Sequence, residues 1–211
     1  TTVEFEEGVK NIGARAYYFY RNSITSGCVY GMPNLKNIKL ASTVKKIGDY
    51  AFYKNIEITK FDFSNIEELG ERSFYGCSGL SDLTIPAGMK EIPASCFYEC
   101  TGLSSLKIPE TIEKVCGGAF GDCTGIKELT MPVDLDYVKN NSSTNGYSSF
   151  FNCGNIEKIT YSKGKTGIMP DIDKGSTWYY TAEYYAGNNL TTVEFEEGVK
   201  NIGARAYCWH A

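Results

Sequence analysis

The sequence has 211 residues, of which 42% are hydrophobic and 22% charged, and it carries a formal net charge of −4 with a pI near 5.2. This is the composition of a globular protein that can bury a core, and an acidic chain without a cluster of lysines and arginines is not expected to bind nucleic acid. No apolar run approaches the roughly 18 residues that a membrane span requires, so the chain is predicted not to cross a membrane.

The first predicted element is a repeat unit that opens the chain and returns near its end. Residues 1–17, TTVEFEEGVKNIGARAY, recur without a change as residues 191–207. The copies agree even at polar positions such as Glu4, Lys10 and Arg15, where packing alone does not require it. We therefore expect a recent duplication within a longer array of which this chain is a slice, and end-to-end self-association of that slice.

An insertion rich in aromatic residues follows at 18–33 and includes Tyr18, Phe19 and Tyr20. So many rings are unusual in a solvated loop, and Tyr and Trp are enriched in interfaces because they combine apolar area with a polar tip. The insertion is therefore a candidate binding loop, unless it folds back and buries its rings against the repeats.

An apolar triplet then recurs every 22 or 23 residues, and its last two copies follow after gaps of 30 and 34 residues. The copies are Leu35/Ile38/Leu40, Ile58/Phe61/Phe63, Leu80/Leu83/Ile85, Leu103/Leu106/Ile108, Ile126/Leu129/Met131, Ile156/Ile159/Tyr161 and Leu190/Val193/Phe195, with Val3/Phe5 as a clipped one. Alternation at the end of each triplet predicts a short strand with polar side chains outward and apolar ones inward.

A second signature follows within each unit. An apolar pair comes first, and a small residue with an aromatic comes after it. The pairs are Val44/Ile47, Ile66/Leu69, Met89/Ile92, Ile112/Val115 and Val199/Ile202, and the aromatic steps include Ala51-Phe52, Ser73-Phe74, Cys96-Phe97, Ala119-Phe120 and Ser149-Phe150. They predict a second extended piece, a turn and one helical turn that carries the aromatic inward. One unit cannot bury its own apolar face, so the units must stack.

The unit L-x-x-L-x-I-P-x-x-(V/I)-x-x-I-G-x-x-A-F-x-x-C-x-x-L, best seen at residues 80–100 and 103–123, resembles the BspA-like leucine-rich repeat family. The resemblance implies an α/β, β-rich leucine-rich repeat solenoid. We expect a right-handed superhelix of about eight rungs, with a parallel sheet on one face and short helical turns or loops on the other. One domain is expected over residues 1–211, with insertions near 18–33, 140–148 and 162–189.

The cysteines fit the repeat better than a disulfide framework. Cys77, Cys100, Cys123 and Cys153 each precede the next triplet by three residues and form one inward column, while Cys96 and Cys116 occupy slots held elsewhere by small residues. Free structural thiols are therefore expected. The alternatives are a disulfide framework and a zinc site from Cys96, Cys100, Cys116 and Cys123. Cys28 and Cys208 lie off the pattern and could be reactive.

The third insertion is also rich in aromatic residues. It carries Trp178, Tyr179, Tyr180, Tyr184 and Tyr185. Loops displayed on a rigid scaffold are where binding residues collect, so these side chains and those of Tyr18, Phe19 and Tyr20 are the predicted binding residues. We expect some of these rings to be accessible to solvent and to form a surface patch.

Catalytic and metal motifs find little support. The single histidine, His210, stands one residue from the end, so no triad or histidine metal site is expected. Residues 170–175, PDIDKG, begin like a calcium loop but lack its third acidic position. Paired glutamates such as Glu67 and Glu68 are adjacent in sequence and are interpreted as solvated charges rather than as glycosidase acids. No catalytic residue, metal or cofactor is predicted.

The family resemblance implies a non-enzymatic, adhesion-type module of a bacterial surface or secreted protein. Its partner would be a protein or glycan, a host protein included. A structural spacer array that presents another domain is the alternative, and a carbohydrate-active enzyme or glycan-binding module is a third.

Overall fold

The computed structural model of the protein describes residues 2–20, 29–32, 34–137, 148–169, 182 and 186–203. In these residues the chain consists of short strands joined by turns. The strands, in chain order, are β1 (Thr2–Glu4), β2 (Asn11–Ile12), β3 (Tyr18–Tyr20), β4 (Val29–Gly31), β5 (Asn37–Lys39), β6 (Lys46–Ile47), β7 (Glu68–Leu69), β8 (Glu91–Ile92), β9 (Ser105–Lys107), β10 (Lys114–Val115), β11 (Glu128–Pro132), β12 (Asp136–Tyr137), β13 (Lys158–Ser162) and β14 (Thr192–Phe195).

The apolar triplets form a first ladder of parallel strands, as predicted. β1 pairs with β5, and β9, β11, β13 and β14 form a four-stranded parallel sheet in that order. The register aligns equivalent triplet positions, so that Leu129 lies between Leu106 and Ile159. The ladder is interrupted in its middle, where residues 58–63 and 80–85 form no regular strand apart from an isolated bridge between Thr84 and Lys107.

The second extended piece of each repeat forms a ladder of its own, built from two-residue strands. β2, β6 and β7 pair in parallel, and so do β8, β10 and β12. The strands with described side chains place a polar residue outward and an apolar residue inward, as in Lys46 followed by Ile47. Opposite charges face each other on the outer side: Lys46 Nζ lies 2.6 Å from Glu68 Oε2. Exposed pairs of this kind contribute little to stability, so backbone hydrogen bonds and the buried residues hold the ladder.

The predicted core is confirmed in the middle of the chain, where every residue of the triplets from Ile58 to Tyr161 is buried. The aromatic side chain of each repeat lies directly over the next, in a series that we call the ring stack. Its members are Tyr17, Phe52, Phe74, Phe97, Phe120 and Phe150, with neighbouring centroids 5.2 to 5.8 Å apart. Stacked rings contribute about 0.5–1.5 kcal/mol per pair beyond the area they bury, so the ring stack ties consecutive repeats together.

The helical turn predicted around each aromatic is wrong. Helical backbone is limited, within the described ranges, to Ala182 and residues 186–189. The residues two before and two after Phe52, Phe74, Phe97 and Phe120 have positive φ, for example Ser95 (51°) and Glu99 (59°) around Phe97. A left-handed residue cannot continue a right-handed helix. The chain forms two successive turns instead, and the Phe97 N–H donates across to the Ala119 carbonyl of the next repeat at 2.8 Å.

The third insertion begins later than predicted. Residues 162–169 belong to the repeat, because β13 runs to Ser162 and Ile168 bridges in parallel to Asn201. Met169 is buried in the inward slot of the second ladder. Met169 follows Ile156, the first residue of its triplet, by 13 residues (169 − 156), whereas the equivalent inward residue follows by 12 in most other repeats. A prediction based on the spacing of 12 therefore did not include Met169. The excess residues of this insertion therefore follow Met169.

The two ends of the described chain are less well packed than the middle. Val3, Phe5, Val193 and Phe195 are half-buried against the core. Ile202, predicted to point into the core, is 47% exposed, because no repeat in the described residues covers it.

Candidate functional site

The position after each core phenylalanine points away from the ring stack, and tyrosine occupies it in three consecutive repeats. The Tyr53 and Tyr75 rings stack with centroids 4.9 Å apart, and the Tyr75 and Tyr98 rings with centroids 5.0 Å apart. Gly121 holds the same position in the next repeat, where a side chain would collide with the Tyr98 ring. The chain thus carries a second, outer stack of aromatic rings on its turn side.

Cationic side chains surround the start of this outer stack. The guanidinium carbons of Arg15 and Arg72 lie 5.6 and 5.5 Å from the Tyr50 ring centroid, and Arg72 Nη1 donates to the Tyr50 hydroxyl at 2.7 Å. Lys54 Nζ lies 5.8 and 6.0 Å from the Tyr53 and Tyr75 ring centroids. Cation–π contacts of this kind hold the charged groups over the rings. We call the surface formed by Tyr50, Tyr53, Tyr75, Tyr98, Arg15, Lys54 and Arg72 the tyrosine ridge.

The Tyr75 hydroxyl is held by a neighbouring repeat. Tyr75 donates to Glu99 Oε1 at 3.1 Å. Burial, followed by the nearby Glu99 carboxylate, raises the pKa of Tyr75 well above its ordinary value. The tyrosine ridge thus combines apolar rings, hydroxyl groups and cationic side chains.

This combination of groups is typical of a protein-binding surface. Tyr and Arg are enriched among the residues that carry most of the binding energy in interfaces. Tyr50, Tyr53, Lys54, Arg72 and Tyr75 are all half-buried, so each keeps an accessible face or edge while its base is packed. Rings already held in a stack lose little conformational entropy on binding.

The first insertion is attached beside the tyrosine ridge. Its strands β3 and β4 form an antiparallel hairpin. Buried Asn55 fixes the base of that hairpin: its side-chain amide donates to the Tyr17 carbonyl at 3.1 Å, and its Oδ1 accepts from the Met32 N–H at 2.9 Å. The same amide also lies 3.3 Å from the Tyr53 carbonyl. The hairpin and the ridge therefore arise from the same corner of the repeats.

The structure describes only a part of the predicted binding residues. The backbone of Tyr18, Phe19 and Tyr20 forms β3, while their side chains, together with all of Trp178, Tyr179, Tyr180, Tyr184 and Tyr185, lie outside the described residues. Their role in binding stays a prediction. The tyrosine ridge itself was missed, although a signal was present: the aromatic step is followed by tyrosine at residues 53, 75 and 98, which are spaced by the repeat period.

The outward face of the first ladder is a weaker candidate. A groove of about 700 Å³ lies where the ladder is interrupted, and its wall includes Lys39, Lys60, Asp62, Asp82 and Thr84. Their charges are mixed, as predicted for an ordinary solvated sheet. This surface therefore does not indicate any particular class of ligand.

A second groove, of about 580 Å³, follows the second ladder and is rich in carboxylates, among them Glu67, Glu68 and Glu91. These three already pair with lysines of neighbouring repeats, at 3.5, 2.6 and 3.8 Å. Across the described ranges no group of three or more histidine, cysteine or acidic side chains is placed to hold a metal ion.

The described cysteines are free thiols, as expected. The column residues Cys77, Cys100, Cys123 and Cys153 are buried, and each thiol donates to a phenylalanine carbonyl of the preceding repeat. The acceptors are Phe52, Phe74, Phe97 and Phe120, at 3.1, 3.2, 3.0 and 3.1 Å. Cys96 is also buried, and Cys116 is partly exposed and donates to Glu91 Oε1 at 2.9 Å. The off-pattern Cys28 and Cys208, like His210 and residues 170–175, lie outside the described residues.

Thiol titration of the native protein should separate two classes of described cysteine. Burial raises the pKa of Cys96 and Cys153 to about 12, and it holds the pKa of the other column thiols well above the ordinary value. Because only the thiolate reacts, we expect a thiol reagent at pH 8 to modify these five slowly until the protein is unfolded. Cys116, whose pKa is raised to about 11 by burial and then by Glu91, should react sooner. Disulfides at these positions in non-reducing mass spectrometry would contradict the assignment.

Parallel ladders, repeated apolar triplets and an internal ring stack define a leucine-rich repeat protein. The chain belongs to the BspA type leucine-rich repeat family, whose repeat region matches residues 22–147 and 90–208 with six copies. Leucine-rich repeat families are generally non-enzymatic and serve in protein binding or as structural elements. In the described residues no helix has the length and apolarity needed to cross a bilayer.

Three bacterial leucine-rich repeat structures are similar to the chain. A protein from Bacteroides ovatus ATCC 8483 has a TM-score of 0.50 and 23% identity, over 97% of this chain and 57% of that one. The T. pallidum leucine-rich repeat protein has a TM-score of 0.45 and 16% identity, over 99% and 77%. A leucine-rich cell surface protein from Faecalibacterium prausnitzii A2-165 has a TM-score of 0.38 and 17% identity, over 92% and 59%.

The chain thus spans 57% of the length of the Bacteroides ovatus protein, and that likeness shows the fold alone. No curated protein matches the sequence.

Proposed function

We propose that this chain is a non-enzymatic protein-binding module of the adhesion type, and that it binds its partner through the tyrosine ridge and the hairpin beside it. The observation that carries the proposal is the ridge itself. Three cations and four tyrosines are held in fixed positions on the turn side, and most of the rings keep an accessible edge. An acidic and aromatic protein surface would complement it.

The surrounding architecture supports a rigid display of this surface. We infer one domain over residues 1–211, a right-handed solenoid of about eight rungs that forms part of a longer array. The repeats are joined by backbone hydrogen bonds and by the ring stack, so loops on the turn side are held at fixed intervals. Membership of the BspA type family supports a surface or secreted location. The aromatic insertions after Tyr17 and Met169 would extend the binding surface.

Two other functions remain as outcomes of the test. A structural spacer would use the same rungs without a partner of its own. A glycan-binding module would use the aromatic rings as stacking platforms, and the exposed edges of Tyr53 and Tyr75 suit that purpose less well than an open ring face, because both rings are stacked on neighbours.

The test compares two double variants with the unaltered chain on arrays of extracellular proteins and of glycans. In Tyr53→Ala/Tyr75→Ala the tyrosine ridge loses two rings. In the control, Lys60→Ala/Asp82→Ala, the face of the first ladder loses two exposed side chains of opposite charge. We expect protein binding that is lost in the ridge variant and kept in the control, with thermal unfolding followed in parallel.

Binding that is lost only in the control would place the partner on the face of the first ladder and contradict the ridge. Binding to glycans alone would favour a glycan-binding module. If neither array gives a partner, the structural spacer becomes the better account.

A further inference from the structure

The position of the cysteine column is held by other residues in the first two repeats. Cys77 precedes the first residue of the next triplet, Leu80, by three residues, and the same count places Asn55 and Met32 at this position in the two preceding repeats. Asn55 is fully buried, as Cys77 is. A carboxamide therefore stands in the column where the following repeats have a thiol.

Ordinary repeats close the turn at this position with two hydrogen bonds to one carbonyl. The Phe52 carbonyl accepts from the Asn55 N–H, three residues later, at 3.2 Å and from the Cys77 thiol of the next repeat at 3.1 Å. The Phe74 carbonyl accepts in the same way from the Cys77 N–H and the Cys100 thiol, each at 3.2 Å. The backbone bond thus joins the aromatic residue to the column position of its own repeat.

The first insertion separates these two groups in its own repeat. Met32 follows Tyr17 by 15 residues (32 − 17) instead of three, so the direct bond from the column N–H to the aromatic carbonyl is replaced. Asn55 supplies both halves of it: its amide donates to the Tyr17 carbonyl at 3.1 Å, and its Oδ1 accepts from the Met32 N–H at 2.9 Å. A carboxamide offers a strong donor and a strong acceptor together, whereas a thiol is weak in both roles.

We infer that Asn55 closes the first insertion and positions its hairpin against the tyrosine ridge. The Asn55 amide also lies 3.3 Å from the carbonyl of Tyr53, a residue of the ridge. Both ends of the insertion and the backbone of the ridge therefore share one buried group. The importance of this positioning for recognition rests on the proposed function, whereas the closure of the insertion does not.

Asn55→Cys tests the closure, because it introduces the residue that this column has in the following repeats. The thiol keeps a donor for the Tyr17 carbonyl and leaves the Met32 N–H without its acceptor. In the full chain, the Met32 amide should exchange with deuterium at least about tenfold faster, as measured by NMR. The control Cys100→Ala removes a thiol from the same column and should leave this rate within about twofold. An unchanged rate in Asn55→Cys, or equal acceleration in the control, would overturn the inference.

A shortened chain distinguishes closure of the insertion from general packing. Removing residues 20–31 places Met32 three residues after Tyr17, the ordinary spacing, so that its N–H can bind the Tyr17 carbonyl directly. Asn55→Cys should therefore lower the thermal unfolding midpoint of the full chain by about 3 °C and leave that of the shortened chain unchanged or raised. The same loss in both chains would mean that Asn55 acts only through packing, against the inference.

Partner binding tests the positioning role. The partner captured by the unaltered chain should bind Asn55→Cys about tenfold more weakly, because a released hairpin must be ordered on binding, and it should bind Cys100→Ala with unchanged affinity. Full affinity of Asn55→Cys, with the Met32 amide released, would contradict the positioning role. Failure to find any partner would count against the proposed function alone, since the exchange measurement decides the closure without one.

Discussion

Replacing Phe97 by alanine is expected to lower the free energy of unfolding by about 3–5 kcal/mol, the usual cost of emptying a core aromatic site. The side chain is 1% exposed, and its ring lies between those of Phe74 and Phe120, with centroids 5.6 and 5.5 Å away. Neighbouring rings in a stack cannot close the gap without breaking their own contacts. Urea unfolding followed by circular dichroism measures the change.

Phe97→Leu is the matched control, because it keeps most of the apolar volume, and its cost should be clearly smaller. A loss below about 1 kcal/mol for Phe97→Ala would show that the ring stack is not the continuous core of the repeats.

The double variant Trp178→Ala/Tyr179→Ala is expected to weaken partner binding by more than about 30-fold, since even one buried interface ring contributes about 2 kcal/mol or more. Both residues belong to the aromatic insertion that follows Met169. This insertion interrupts the repeat period, so its residues are not required to form a rung of the solenoid. Titration calorimetry or surface binding with the captured partner measures the loss.

Thermal unfolding of the same variant separates recognition from packing. An unchanged midpoint together with lost binding supports a recognition loop. A lower midpoint with binding retained would mean that the rings are additional core, and the insertion would then be removed from the proposed binding surface.

The sequence predicted the repeats well because packing fixes their pattern. Triplet residues such as Leu106 and Leu129 must face inward at one register position in every repeat, so their spacing reveals the first ladder directly. The inward residue of the second ladder follows at a set distance for the same reason. The column of cysteines could also be predicted, because Cys100 and Cys123 occupy the equivalent buried position in successive repeats.

The errors arose where the backbone departs from regular geometry. The turn around Phe97 resembles a helix in composition, and only the positive φ values at Ser95 and Glu99 exclude it. Those angles have no clear sequence signature, because neither residue is glycine. Met169 lies one residue later in its repeat than the equivalent residues of other repeats. A prediction based on a fixed spacing therefore missed the second-ladder segment to which Met169 belongs.

The candidate site was harder to predict than the fold because it depends on contacts between repeats. Tyr53 and Tyr75 lie 22 residues apart in sequence, yet their rings stack at 4.9 Å. Arg72 reaches back to the Tyr50 hydroxyl of the preceding repeat. Such a surface becomes visible only once the register between repeats is known.

Hydrogen–deuterium exchange of the chain with and without its captured partner tests the central claim most directly. Amide protection that appears on binding at residues 50–54 and 72–76, the turns that carry the tyrosine ridge, is the result that we expect. Protection confined to residues 58–63 and 80–85, which line the groove of the first ladder, would contradict it.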